Sequence, residues 1–133
     1  MMLTITPLYA GLLALWFLVL SFHVVRFRTG GINLGDGGRP EVLRAIRAHA
    51  NFAEYVPFVL LMMAMLETGG VLAPWVLHAI GLMLLVGRLL HGIALAFTKK
   101  WFLGRSAGIL LTFASLAIAA VLCVWRGLAP FTL

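Results

Sequence analysis

The segment Arg44 to Pro57, RAIRAHANFAEYVP, carries two guanidiniums, an amide and a carboxylate at helical spacing. Arg44, Arg47, Asn51 and Glu54 follow one another at steps of three, four and three. At about 100° per residue they share one sector of a helix surface, and His49 falls off it. The chain then runs on as hydrocarbon from Phe58 to Leu66, so the row stands at the mouth of a membrane helix. Such a row is costly against lipid and calls for protein or a polar ligand as its neighbour. Guanidinium forks bind carboxylates and phosphates bidentately. Glu54 would take a ligand ammonium or pair with an arginine. The ligand so described is a water-soluble zwitterion, and a hydrophobic second substrate could arrive from the bilayer.

The elements that hold this row follow from composition. The chain has 133 residues, 63% of them hydrophobic and 11% charged. A soluble domain is about 45–50% apolar with about 25% charge, so the expectation is an all-α integral membrane protein in one domain, residues 1–133. The net charge of +6 sits in loops and helix mouths, where the positive-inside effect accounts for most of it. No aromatic-interleaved basic patch supports nucleic acid as a partner. Cys123, the one cysteine, lies in an apolar run as a small packing residue. The N-terminal run lacks a basic n-region and reads as a retained span.

A span needs about 20 apolar residues, and four are expected, at about 3–27, 40–67, 71–98 and 101–125. TGGINLGDGG (Thr29–Gly38) breaks the first helix; it follows no strand and precedes no GK[ST], which excludes a nucleotide-binding loop. Pro40 and Glu41 suit a helix start. Pro57 is expected to bend the second helix, and Thr68-Gly69-Gly70 turns it into the third. Trp125 and Arg126 form an interface anchor.

The first connection and its flanks carry Arg26, Arg28, Arg39, Arg44 and Arg47, the third carries Lys99, Lys100 and Arg105, and the second only Glu67. The cation-rich loops are therefore expected in the cytoplasm and both termini on the non-cytoplasmic side. This gathers Arg26, Arg47, Asn51, Glu54, Arg88, His91 and Arg105 at one membrane depth. Arg26, Arg28, Lys99, Lys100 and Arg126 can snorkel to membrane lipid headgroups. Glu54 and Arg88 lie deeper and point to function or interhelical pairing.

Several chemistries are excluded. His49, His78 and His91 lack mutual metal spacing, and no HExxH or CxxC is present, so no metal is expected. Asp36, the sole aspartate, lies in the glycine loop, which argues against a Ser-His-Asp triad. A small multidrug exporter needs an embedded acid in its first helix, and none is there.

Arg47-Ala48-His49-Ala50-Asn51-Phe52-Ala53-Glu54-Tyr55-Val56-Pro57 resembles the signature of the MAPEG family, the membrane-associated proteins in eicosanoid and glutathione metabolism. Its specific part is R-A-x-x-N-x-x-E-x-x-P. Arg88-Leu89-Leu90-His91 is similar to the R-x-x-H of some members, and Arg105-Ser106 to the family's arginine-serine pair. The likeness covers all four helices in order and is greatest to the small bacterial inner-membrane members.

The resemblance implies a four-helix bundle assembled as a homotrimer, with glutathione as co-substrate between neighbouring subunits on the cytoplasmic side. Arg47, Asn51, Glu54 and Tyr55 would bind glutathione from the second helix, and Arg26 would hold one of its carboxylates. Arg88 and His91 would line the site from the third helix. Arg105, beside Ser106, would be catalytic: a guanidinium near the sulfur favours the thiolate over a thiol of pKa about 8.5. The implied activity is a glutathione transferase, with an accompanying peroxidase activity, acting on hydrophobic electrophiles in a detoxification role. Ala50, Leu95 and Ile109 stand where some members carry a cation or a tyrosine, which argues against a dedicated prostaglandin or leukotriene synthase. The rival is a non-catalytic membrane subunit binding lipid headgroups or a partner protein. Arg44 is expected at the periphery.

Overall fold

Proline and glycine punctuation set the helices. In the computed structural model, which describes residues 2–128, α1 spans Ile5–Thr29, α2 Pro40–Gly69, α3 Pro74–Gly92 and α4 Phe102–Leu128. Pro40 and Pro74 occupy the first helical position, where a missing N–H costs nothing. Gly70 caps α2 at φ 65°, a left-handed conformation open to glycine without a Cβ penalty. All four helices are long and apolar enough to cross a membrane, and no strand occurs among the described residues. Short connections place successive helices antiparallel in a four-helix bundle. The ends of the expected single domain, residue 1 and residues 129–133, lie outside the described residues.

The helix limits differ from expectation in all four helices: α1 ends at Thr29 rather than residue 27, and α2 at Gly69 rather than residue 67. The first helix starts at Ile5 rather than residue 3. The third starts at Pro74, because Val71–Ala73 form the connection, and ends in a π turn, Ile93–Phe97. The fourth continues past Trp125 to Leu128. Through Pro57, α2 is unbroken, and the ring faces outward.

The buried stripe of α2 runs Val42, Ala45, Ala48, Phe52, Val56, Val59, Met63 and Leu66, at steps of three and four. It meets Tyr9, Leu13 and Leu20 of α1 and Ile80 and Leu84 of α3 in one core. The buried face of α4 consists of small residues, Gly104, Gly108, Thr112, Ser115 and Ala119. Lipid tails are as apolar as leucine, so helices in a bilayer associate through close packing and interhelical hydrogen bonds. Here Gly87 of α3 and Gly108 of α4 meet backbone to backbone: a Cβ on Gly108 would lie 2.7 Å from the Gly87 carbonyl oxygen. Gly81 makes room for the Tyr9 ring and Gly92 for the Trp16 indole, and Trp16 Nε1 donates to the Arg88 carbonyl at 3.1 Å.

At the end opposite the cation-rich loops, Glu67 caps α1 from the end of α2. Its carboxylate accepts from the backbone N–H of Thr4 at 2.7 Å, Ile5 at 2.7 Å and Thr6 at 2.8 Å. These are amides a helix start leaves without partners, and they carry the positive end of its dipole. Glu67 is 7% exposed, so water cannot replace it. Glu67→Ala is expected to destabilise the bundle by about 2 kcal/mol, read as a lower melting temperature in detergent. An unchanged melting temperature would remove the capping role.

Candidate functional site

At the cation-rich end, three adjoining clefts open between the mouths of the helices. The central one, about 210 Å³, is lined by Leu43, Arg44, Arg47, Asn51, His91, Leu95 and Arg105. Side chains from α2, α3, the π turn and α4 thus meet in one cleft. A flanking cleft of about 360 Å³ carries Arg26, Arg39, Arg44 and Lys99 over a wall of His23, Phe27 and Phe97. A smaller one, about 60 Å³, lies between Leu95, Trp101, Phe102 and Arg105. Arg44 lines all three, and its Nε is buried without a hydrogen-bond partner. The expectation of a peripheral Arg44 is therefore corrected: α2 enters the bundle close enough to α3 that the first arginine of the row points inward.

The π turn shapes these walls. It begins two residues after His91 and supplies Leu95 to the central cleft and Ala96 and Phe97 to the flanking one. A π turn carries an extra residue per turn, and such insertions are frequent at functional sites. His23 of α1 reaches it, with Nε2 3.2 Å from the Ala96 carbonyl oxygen. Phe27 packs against two guanidiniums, those of Arg26 at 5.1 Å and Arg39 at 5.8 Å from its ring centroid. Glu41 is the one carboxylate lining any of the three clefts, and it is already bound to Arg39 at 2.7 Å. The central cleft therefore offers cationic donors and no carboxylate, which suits an anionic ligand.

Arg88 lies beneath this cleft. It is 2% exposed and ties three helices together: Nε donates to Thr112 Oγ1 of α4 and Nη1 to Asn51 Oδ1 of α2, each at 2.9 Å. Its Cζ lies 5.7 Å from the centroid of the Tyr55 ring. Interhelical pairing, one of the two roles read for Arg88 from its depth, is thus made with an amide and a hydroxyl. His91, one turn on, is 3% exposed, lines the central cleft, and has no hydrogen-bond partner on either ring nitrogen.

Of the residues singled out from the sequence, Arg47, Asn51, His91 and Arg105 meet in the central cleft. Arg26 lines the flanking cleft instead, with Arg44 between the two. Tyr55 stands outside the clefts, half-buried, with its ring 5.6 Å from that of Phe113. Glu54 and Ser106 lie exposed on the outer surface of the single chain. Glu54 makes no ion pair there; among the described residues Arg39–Glu41 is the salt bridge present. Among the described residues, no group of three His, Cys, Asp or Glu side chains is placed to hold a metal ion.

Two features escaped the sequence reading. Thr112 reads as an ordinary residue of an apolar helix, although a hydroxyl at a four-residue step from Gly108 signals a packed α4 face. Leu95 lines two clefts because of the π turn, which no residue pattern announces.

The profile of the MAPEG family matches residues 6–125. Inner membrane protein YecN of Escherichia coli strain K12 is 36% identical over 122 residues, 91% of each chain, and the same protein of strain O6:H1 matches equally. No solved structure gives a significant match. Since the profile runs from the first turns of α1 nearly to the end of α4, and the relative aligns over the same bundle, the chain belongs to the MAPEG family.

Proposed function

We propose that this chain is a membrane-bound glutathione transferase of the bacterial inner membrane, with glutathione peroxidase as an accompanying activity. It joins the glutathione thiolate to hydrophobic electrophiles that enter from the bilayer on the cytoplasmic side. One observation carries the reading. Arg47, Asn51, His91 and Arg105, from three helices, line one cleft that contains no carboxylate. Glutathione brings two carboxylates, an ammonium and a thiol. Arg44 and Arg47 suit the carboxylates. Arg105 suits the sulfur, where its charge favours the thiolate that attacks the electrophile. The sulfur–carbon bond forms as the electrophile's leaving group departs with its electron pair.

Glu54 and Ser106 sit outside the cleft of a single chain. In the homotrimer that the family resemblance implies, both face a neighbouring subunit. Glu54 there receives the ammonium, and a neighbour's Arg26 adds a carboxylate contact. Membership of the family supports this assembly, and the relative named as an inner membrane protein supports the location. The two basic connections face the cytoplasm and the termini the other side, by the positive-inside rule.

Purified protein in detergent or nanodiscs is expected to bind reduced glutathione by calorimetry and to turn over a chromogenic aryl halide. Absence of both would sink the proposal. The flanking cleft favours a second reading, a non-catalytic subunit that holds lipid phosphates, because Arg26, Arg39, Arg44 and Lys99 surround it. Lipid retention without glutathione binding would select that one.

A further inference from the structure

Arginine donates hydrogen bonds and accepts none. That asymmetry fixes the direction of every bond under the central cleft. Thr112 Oγ1 donates to the Gly108 carbonyl of its own helix at 2.8 Å. Its lone pairs are then free for Arg88 Nε, 2.9 Å away. On the other side of the guanidinium, Nη1 meets the Asn51 amide at 2.9 Å and approaches the Asn51 carbonyl at 3.5 Å. The amide atom turned toward Arg88 must be an acceptor, so it is Oδ1. The reverse orientation would set an NH2 against a guanidinium, donor against donor, at a side chain only 2% exposed. Nδ2 accordingly points away from Arg88. It has no hydrogen bond within the described chain and is not among the sealed, unpartnered atoms, and Asn51 lines the cleft.

We infer that Arg88 is a positioning residue that locks Asn51 as an obligate hydrogen-bond donor, so that the ligand places a carboxylate or peptide carbonyl, and not its ammonium, against Asn51. The identity of that ligand rests on the glutathione reading above; the polarity of the amide does not. Bonding to a charged donor also polarises the amide and strengthens its outward N–H groups. The buried charge of Arg88, which does not itself line the cleft, thus acts there through Asn51. With Arg44, Arg47 and Arg105 as the other polar groups beside His91, the cleft presents donors on every side except at the imidazole. The ammonium of a zwitterionic ligand therefore finds no side-chain acceptor in this cleft apart from the imidazole of His91, and otherwise turns to an acceptor outside it.

Calorimetry with reduced glutathione and with its deaminated analogue, which lacks only the ammonium, tests this. Asn51→Ala is expected to weaken both ligands by the same factor, about tenfold. A loss with glutathione that vanishes with the deaminated analogue would mean that Asn51 accepts from the ammonium, and would overturn the inference. The role of Arg88 is read by a cycle. Arg88→Gln weakens glutathione toward the Asn51→Ala level, and the double variant binds no worse than Asn51→Ala alone. Independent, additive losses would show that Arg88 does not act through Asn51. Should Arg88→Gln fail to fold, Arg88→Lys, which keeps a donor, is expected to retain the equal loss for both ligands on Asn51→Ala. A third measurement needs no ligand. Asn51→Asp keeps an acceptor toward Arg88 and is expected to melt at or above the wild-type temperature; a lower melting temperature would overturn the polarity. If the wild type binds no glutathione, the proposed function falls, and this melting comparison still decides the amide.

Discussion

Replacing Arg105 by alanine is expected to lower glutathione turnover by about two orders of magnitude without changing the melting temperature. The loss is that typical of removing one preorganised donor from a developing anion. The stability expectation rests on position. Arg105 is exposed at the start of α4, and its side chain makes no hydrogen bond or ion pair within the described residues. A surface side chain without partners changes stability by less than about 0.5 kcal/mol when truncated. Turnover of the aryl halide and a thermal melt on the same preparation check both halves. Full activity in Arg105→Ala would remove the arginine from the chemistry, and a melting loss would mean that it supports the fold instead.

Gly108→Ala is the second large effect, and it runs the other way, from packing to the site. A Cβ built on Gly108 would lie 2.6 Å from the His91 backbone nitrogen, 2.7 Å from the Gly87 carbonyl oxygen and 2.8 Å from His91 Cβ. Backbone on both sides cannot swing away as the end of a side chain can, so α3 and α4 must separate. Overpacking of this kind costs about 1–3 kcal/mol. The separation would also shift His91 within the cleft and lengthen the bond from Arg88 to Thr112. The expected result is a lower melting temperature together with weaker glutathione binding. Gly11 provides the control: it lies inside α1 with nothing within 4 Å of its Cβ position. Gly11→Ala is expected to stabilise by about 0.5–1 kcal/mol, because alanine is the better helix former. Equal behaviour of the two variants would refute the tight α3–α4 contact.

The contrast between these glycines illustrates what a residue pattern conveys. Gly11 and Gly108 look alike in the chain, each a glycine inside an apolar helix. The four-residue steps from Gly104 through Gly108 to Thr112 form the small-residue face of α4, which the sequence reading did not single out, and spacing does not say which partner helix approaches, or where. The row Arg44, Arg47, Asn51 was legible as one helical face, because that depends only on the pitch of the helix carrying it. Glu54 belongs to the same row by angle and still lies exposed outside the cleft, since a cleft is bounded by its neighbours and at that turn of α2 it is Tyr55 that faces Arg88 of α3 and Phe113 of α4. Arg26 was grouped with Arg47 by membrane depth alone. Depth says nothing of azimuth around the bundle, and α1 places Arg26 over the flanking cleft.

From the amino-acid order alone came four membrane-length helices, their glycine and proline limits, the gathering of cations at one end, and the family signature. Each of these depends on hydropathy, helix pitch or local backbone chemistry, quantities that neighbouring residues settle among themselves. Only the tertiary structure decided that Arg44 faces inward, that Arg88 is spent on Asn51 and Thr112, and that Glu67 closes the start of α1. It also decided that the third helix widens into a π turn beside the cleft. These depend on which helix faces packed against one another. That choice is made by contacts between residues far apart in the chain, such as Arg88 with Asn51 or Glu67 with Ile5, and no local pattern carries it.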